Sequence, residues 1–364
     1  MTAPLSRRQI LTAAAALPLA AAAHGALPAR RRVGSIQRLD PALDAIIDPS
    51  APVEVLGEGY RWAEGPVWVR RKAWLLFSDV PGNTIWRWRA KEGLDVFMRP
   101  SGLEGPIPAA FNEAGANALA IDPAGRLVMA DSGNRAIARV DLDTRRKAIL
   151  VDRYQGKRFN SPNTVTVARN GTIYFTDPPY GLKDQDHSPL RELDFQGLYR
   201  LDPDGTLALL DGTHRRPNGV ALSPDERTLY LALSDETRPE LLAYPLDARG
   251  AVGKPRLFSD MRAQQAAGGS GLPDGMAIDR AGRLFVAGPG GVHVLTPEGR
   301  LLGIIATGQT IANCCFGGPH GATLFMTSHH MLACVQTRTR GVLSLNTDDR
   351  SRQTRRKRAW ASRE

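Results

Sequence analysis

Residues 63–79 read AEGPVWVRRKAWLLFSD, and this stretch decides the fold. A single acid, Glu64, opens a short alternating run; a basic break follows, then an apolar run ending in Ser78-Asp79. The pattern predicts a two-strand hairpin whose first strand begins with a glutamate inside a sheet. The same frame returns at 116–131 (ANALAIDPAGRLVMAD), 162–177 (PNTVTVARNGTIYFTD), 217–235 (PNGVALSPDERTLYLALSD), 273–288 (PDGMAIDRAGRLFVAG) and 312–328 (ANCCFGGPHGATLFMTS). Each copy has one polar residue, a short strand, a turn rich in Gly, Asp, Pro or Asn, and a second strand.

The opening polar residues are Glu64, Asn117, Asn163, Asn218, Asp274 and Asn313, spaced 53, 46, 55, 56 and 39 apart. A period of about 40–55 residues made only of short strands is the mark of a β-propeller. Between the copies lie further strand patterns, such as TIWRWRA, AIARVDL, GLYRLD and LLAYPLD, which supply the outer hairpin of each blade. The fold class expected is therefore all-β, a six-bladed β-propeller over residues 50–347, with 27–49 as an extension ahead of it. In such a ring the first strand of each blade lines the central channel. The six polar residues are then expected at one mouth of it.

The termini carry most of the charge. Residues 1–26 read as a twin-arginine export signal: Ser6-Arg7-Arg8-Gln9-Ile10-Leu11, an Ala- and Leu-rich run, and small residues from Ala21 to Ala26 for cleavage. That run is too short to span a bilayer comfortably, so stable membrane insertion of the mature chain is not expected and a periplasmic or secreted location is. Residues 348–364 read as a basic, disordered tail. The formal net charge is +10, but setting aside residues 1–32 and 350–364 leaves 35 basic against 36 acidic residues. A nearly neutral body argues against a nucleic-acid partner. The three cysteines, Cys314, Cys315 and Cys334, imply no disulfide framework and show no CxxC metal spacing. The chain is read as a monomer or dimer acting on a small molecule.

Two carboxylates and several amide oxygens aimed at one axis make a hard-oxygen cage. That donor set suits Ca2+, which takes six to eight oxygens in flexible geometry, and other divalent cations in its place; a soft metal would ask for Cys or His. Without a cation Glu64 and Asp274 repel each other in a desolvated channel. Asn and Asp also open strands for turn reasons, which accounts for Asn117 or Asn313 alone but poorly for Glu64. The metal set is read as Glu64, Asn163, Asn218 and Asp274. A cation with open positions polarises a carbonyl or phosphoryl group, and Asp274 is placed to take a proton from water or to attack directly. No serine elbow supports a Ser–His–Asp triad. The loop PPYGLKDQDHSPLRELDFQG is longer than a hairpin needs and offers Tyr180, His187 and Arg191 as candidate hydrogen-bonding contacts to a substrate, Tyr180 being taken into the substrate-side set. His214, His329 and His330 show no evident partner.

Taken together, AEGPVW, NSPNTVTV…GTIYFTDPPYGL, RPNGVALSPDERTLYLALSD, PDGMAID..GRLFVAG and NCCFGG resemble the SMP-30/gluconolactonase/LRE-like family, and most closely its bacterial gluconolactonase branch, over roughly residues 50–345. The resemblance implies hydrolysis of a sugar lactone such as glucono-1,5-lactone. It implies one divalent cation on Glu64, Asn218 and Asp274, with Asp274 as base, Asn163 touching metal or substrate, and Asn117 on the substrate side. The chain departs from the family pattern at Thr164, where relatives often have Asp, at Ser161, where animal members have Arg, and at His320, where an acid is usual. These departures put the substrate in doubt more than the chemistry. Two other readings remain: a propeller hydrolase of aryl esters or phosphotriesters, and a non-enzymatic exported binding propeller with structural calcium.

Overall fold

A computed structural model describes residues 30–342; the export signal read in 1–26 and the basic tail read in 348–364 lie outside the described residues. Six antiparallel sheets of four or five strands make up the fold, beside a two-stranded hairpin of Arg153–Tyr154 and Lys157–Arg158. Their innermost strands are Ala63–Val69, Leu119–Ile121, Val165–Val167, Pro217–Leu222, Met276–Ile278 and Asn313–Gly317, and each touches the next in turn until the sixth meets the first. This is a six-bladed β-propeller, and each inner strand is the first strand of a repeat found in the sequence.

Two of the hairpins are built from one device. Asp122 Oδ1 accepts the amides of Ala124 and Arg126, while its Oδ2 takes Arg126 Nε at 2.8 Å. Asp279 does the same with Ala281 and Arg283, the Nε contact being 2.6 Å. The Asp-x-Ala-Gly-Arg turn thus carries its own partners, which is why the repeat is visible in sequence.

Apolar side chains fill each of the six seams between blades. Val69, Leu76, Ile85 and Phe97 of blade one meet Leu119, Leu127, Met129 and Val140 of blade two. The remaining seams hold clusters of the same kind. Buried hydroxyls at the ends of the second strands then bind each of the first four blades to its successor. Ser78 Oγ donates to the Asn117 carbonyl at 2.7 Å, Ser132 Oγ to that of Pro162 at 2.7 Å, Thr176 Oγ1 to that of Asn218 at 2.7 Å, and Ser234 Oγ to that of Pro273 at 2.6 Å. These four bonds land on a polar channel residue or the residue before it, so the packing of the ring sets the site.

The sixth blade takes its inner three strands from Asn313–Gly317, Thr323–Ser328 and Met331–Gln336, and its fourth, Val53–Glu58, from the other end of the chain. That strand runs antiparallel to Met331–Gln336, with Glu58 opposite Met331 and Glu54 opposite Cys334. The segment read as an extension before residue 50 also joins the ring. Ser35–Arg38 adds an outer strand to the fifth blade, and Leu43, Ile46 and Ile47 are buried at the fifth–sixth seam. It repeats no hairpin, so repeat spacing could not reveal its place. No helix among the described residues is long and apolar enough to cross a membrane.

The closing seam rests on aromatic packing. Phe325 stacks on Trp68 at 5.7 Å between ring centroids and meets Trp88 at 5.4 Å. Phe325→Ala is expected to cost about 3–5 kcal/mol, the range for emptying a packed aromatic site. Chemical denaturation checks this, and a midpoint equal to the parent's would show that the seam does not hold the ring shut.

Candidate functional site

The channel mouth is crowded, and the Gly after a polar residue makes the crowding tolerable. A Cβ at Gly219 would lie 2.0 Å from the Asp274 carbonyl oxygen, and one at Gly275 would lie 1.9 Å from Asn313 Cγ. The Asn-Gly and Asp-Gly pairs therefore let neighbouring blades bring their polar side chains together.

Glu64 and Asn313 are neighbours across the closing seam. Glu64 Oε2 accepts the Gly65 amide at 2.8 Å and Asn313 Nδ2 at 3.3 Å, and both residues are buried. Asn163, Asn218 and Asp274 form a second chain. Thr164 Oγ1 donates to Asn163 Oδ1 at 3.0 Å and lies 3.4 Å from Asn218 Oδ1. The Asn218 side-chain amide donates to Ser234 Oγ at 2.9 Å and lies beside the Asp274 carboxylate. Thr164, a departure from the family pattern, thus places a hydroxyl between two amide oxygens. The Tyr180 hydroxyl joins the group through Ser234, and Arg216 lies over the Tyr180 ring at 5.1 Å.

One member of the cluster was not foreseen. Glu113, on the loop of residues 99–116 between the first two blades, lies beside Asn117 and Ser132. It has no place in the repeat, and the only hint in the sequence is its position four residues before Asn117.

The three carboxylates act on one another. Burial pushes Glu64 up to about 7. Burial, and after it the Glu64 charge, pushes Glu113 up to about 7 as well. Asp274 stands well above the ordinary carboxylate range, first through burial and then through Glu64. Several acids held where their charges are opposed is an arrangement common to functional sites.

Other candidates fall elsewhere. Arg191 gives its guanidinium to Asn160 Oδ1 and to carbonyls of its own loop, and His187 is exposed. His214 pairs with Asp211 at 3.4 Å, and His330 Nδ1 meets the Tyr60 carbonyl at 2.8 Å, so both have partners that sequence did not show. None of the three cysteines is in a disulfide. Further along the inner strands the axis holds a cavity of about 260 Å³ with a mixed lining that includes Val67, Val167, Val220, Thr164, Thr166 and Asn313.

The donor set fits a hard divalent cation. Glu64, Asn163, Asn218 and Asp274 offer only oxygen donors beside amide nitrogens, the first three buried and Asp274 half-buried, with no Cys or His among them. Among the described residues no three His, Cys, Asp or Glu side chains gather as a metal cage. A cation here would accordingly rest on two carboxylates, Glu64 and Asp274, with amide oxygens completing its shell.

A six-bladed propeller with a buried oxygen-donor cluster at one channel mouth is the class that fold and site define. The model of the SMP-30/Gluconolactonase/LRE-like region matches residues 62–330. The chain is 43% identical over 355 residues to a gluconolactonase of Zymomonas mobilis, covering 93% of this chain and 99% of that protein. A solved gluconolactonase from Xanthomonas campestris is 34% identical with a TM-score of 0.73, over 85% of this chain and 98% of that one. Regucalcin of Xenopus laevis is 28% identical, over 75% of this chain and 85% of that protein. The chain belongs to the SMP-30/gluconolactonase/LRE-like family.

The tight approach at Gly275 gives a direct test. Gly275→Ala is expected to displace the Asn313 amide and disturb Glu64 while leaving the fold intact, because the clash is confined to the channel mouth. Calorimetric titration with calcium checks this: at least tenfold weaker binding with unchanged circular dichroism is expected, and parent-like affinity would contradict the crowding.

Proposed function

We propose that the chain is a lactone hydrolase that opens a sugar lactone such as glucono-1,5-lactone, with calcium as its metal. The observation that carries this reading is the convergence of Glu64, Asn218 and Asp274 at one channel mouth. Its support is the 43% identity to a gluconolactonase over 93% of the chain.

Glu64, Asn163, Asn218 and Asp274 would hold the cation. When bound, it polarises the lactone carbonyl and stabilises the oxyanion formed on attack. Asp274 takes the proton of the attacking water. Asn218 holds that carboxylate in place, and Ser234 in turn fixes Asn218. Water oxygen joins the carbonyl carbon, the ring C–O bond breaks, and the proton passes to the departing alkoxide. The hydroxy acid formed ionises and releases a proton to solvent. Asn117 and Tyr180 form the substrate side, where buried polar groups orient the lactone ring. The export signal read in residues 1–26 assigns this chemistry to the periplasm or the exterior.

Hydrolysis of glucono-1,5-lactone, followed by a pH indicator, tests the reading. Activity is expected to vanish on chelation and return with calcium, and Asp274→Asn is expected to lose about 10²–10⁴-fold in kcat, the usual worth of a positioned base. Turnover that survives both chelation and the substitution would sink the proposal.

A further inference from the structure

Arg216 keeps a backbone conformation suited to glycine. Its φ is 55°, in the left-handed region that residues with a Cβ rarely adopt. It stands two residues before Asn218, and both of its backbone groups are fixed. Its amide donates to Gln196 Oε1 at 2.8 Å, and its carbonyl accepts the Ser234 amide at 3.0 Å. Glycine would take this conformation freely, so an arginine here marks a use for the side chain.

That side chain closes a ring of contacts with the loop of residues 178–196. Arg216 Nη2 donates to Asp186 Oδ2 at 2.7 Å, and Nη1 to Gln185 Oε1 at 2.6 Å. Gln196 Nε2 donates to Asp186 Oδ1 at 2.8 Å, while Gln196 Oε1 is the acceptor of the Arg216 amide. The Arg216 and Asp186 side chains are only 17% and 22% exposed, so solvent screens this pair less than an ordinary surface pair. The same guanidinium lies over the Tyr180 ring, its Cζ 5.1 Å from the ring centroid. Beside Tyr180 the loop has a second anchor, where the Gly181 amide donates to Ser161 Oγ at 2.8 Å. Ser161 is two residues before Asn163, as Arg216 is two before Asn218. The half-buried Tyr180 therefore sits between the chain approaches to two of the proposed metal ligands.

We propose that Arg216 is a positioning residue for this site: clamped to Asp186 and Gln185, it holds the Tyr180 ring as a fixed wall at the channel mouth, against which the lactone is oriented. A side chain on a long loop samples several placements, and a substrate that must order it on binding loses affinity. The clamp orders it beforehand, so its benefit is read in substrate binding and not in the bond-making step. Arg216 itself contacts neither the lactone nor the cation; it acts through Tyr180. The inference rests on the lactone-hydrolase reading above, which puts Tyr180 on the substrate side.

The test compares the parent with Arg216→Gly, Tyr180→Leu and the double variant on glucono-1,5-lactone, with calcium titration of each. Glycine keeps the left-handed backbone and removes only the clamp. In Arg216→Gly, KM is expected to rise about tenfold, with kcat within about twofold of the parent's and calcium affinity unchanged. In the Tyr180→Leu background the same substitution is expected to change KM by less than about twofold, because the ring it positions is gone. A parent-like KM in Arg216→Gly, a fall in kcat as large as the rise in KM, equal effects in both backgrounds, or weakened calcium binding overturns the inference. Should Arg216→Gly fail to fold, Asp186→Asn opens the clamp from the loop side and carries the same expectations. Should the parent hydrolyse no lactone, the functional reading fails, and hydrogen exchange decides on the clamp alone. The Gly181 amide is then expected to exchange at least about tenfold faster in Arg216→Gly, and a parent-like rate overturns the clamp.

Discussion

The pairing of Val53–Glu58 with Met331–Gln336 is the contact on which the rest of the structure depends. It joins the two ends of the ring and so brings the first blade against the sixth. Only then does Asn313 reach Glu64, a residue 249 positions earlier in the chain. Closure also sets the crowding that glycine at 219 and 275 relieves, and it gives the hydroxyl clamps between blades a fixed frame. An open stack of the same six hairpins would have the same residues and no site.

Closure also creates an electrostatic cost. Glu64, Glu113 and Asp274 are drawn into one poorly solvated volume, and each raises the proton affinity of another. Such a cluster works against stability in its charged form and needs a cation, a proton or a donor-rich ligand to offset it.

The architecture was readable because it repeats. The Asp-x-Ala-Gly-Arg turns at Asp122 and Asp279, and the polar residue opening each first strand, place every inner strand correctly. Asn218 and Asp274 emerged for the same reason, since a position seen six times is a position in the ring. Glu113 did not, because it lies on a loop that occurs once and acts only after the chain has folded it against Asn117 and Ser132. Ser35–Arg38 was missed on similar grounds: its partner, Leu301–Ala306, lies at the far end of the sequence. The Ser or Thr at the ends of the second strands was present in every quoted hairpin ending in Ser-Asp or Thr-Asp. Its meaning as a clamp needed the neighbouring blade.

The central claim is that ring closure builds a single cation site from Glu64 and Asp274. Calorimetric titration of calcium into chelator-treated protein, with Glu64→Gln alongside, addresses it most directly. One site per chain in the parent, lost or weakened at least a hundredfold in the variant, is the predicted result. No binding by the parent, or equal binding by Glu64→Gln, would contradict it.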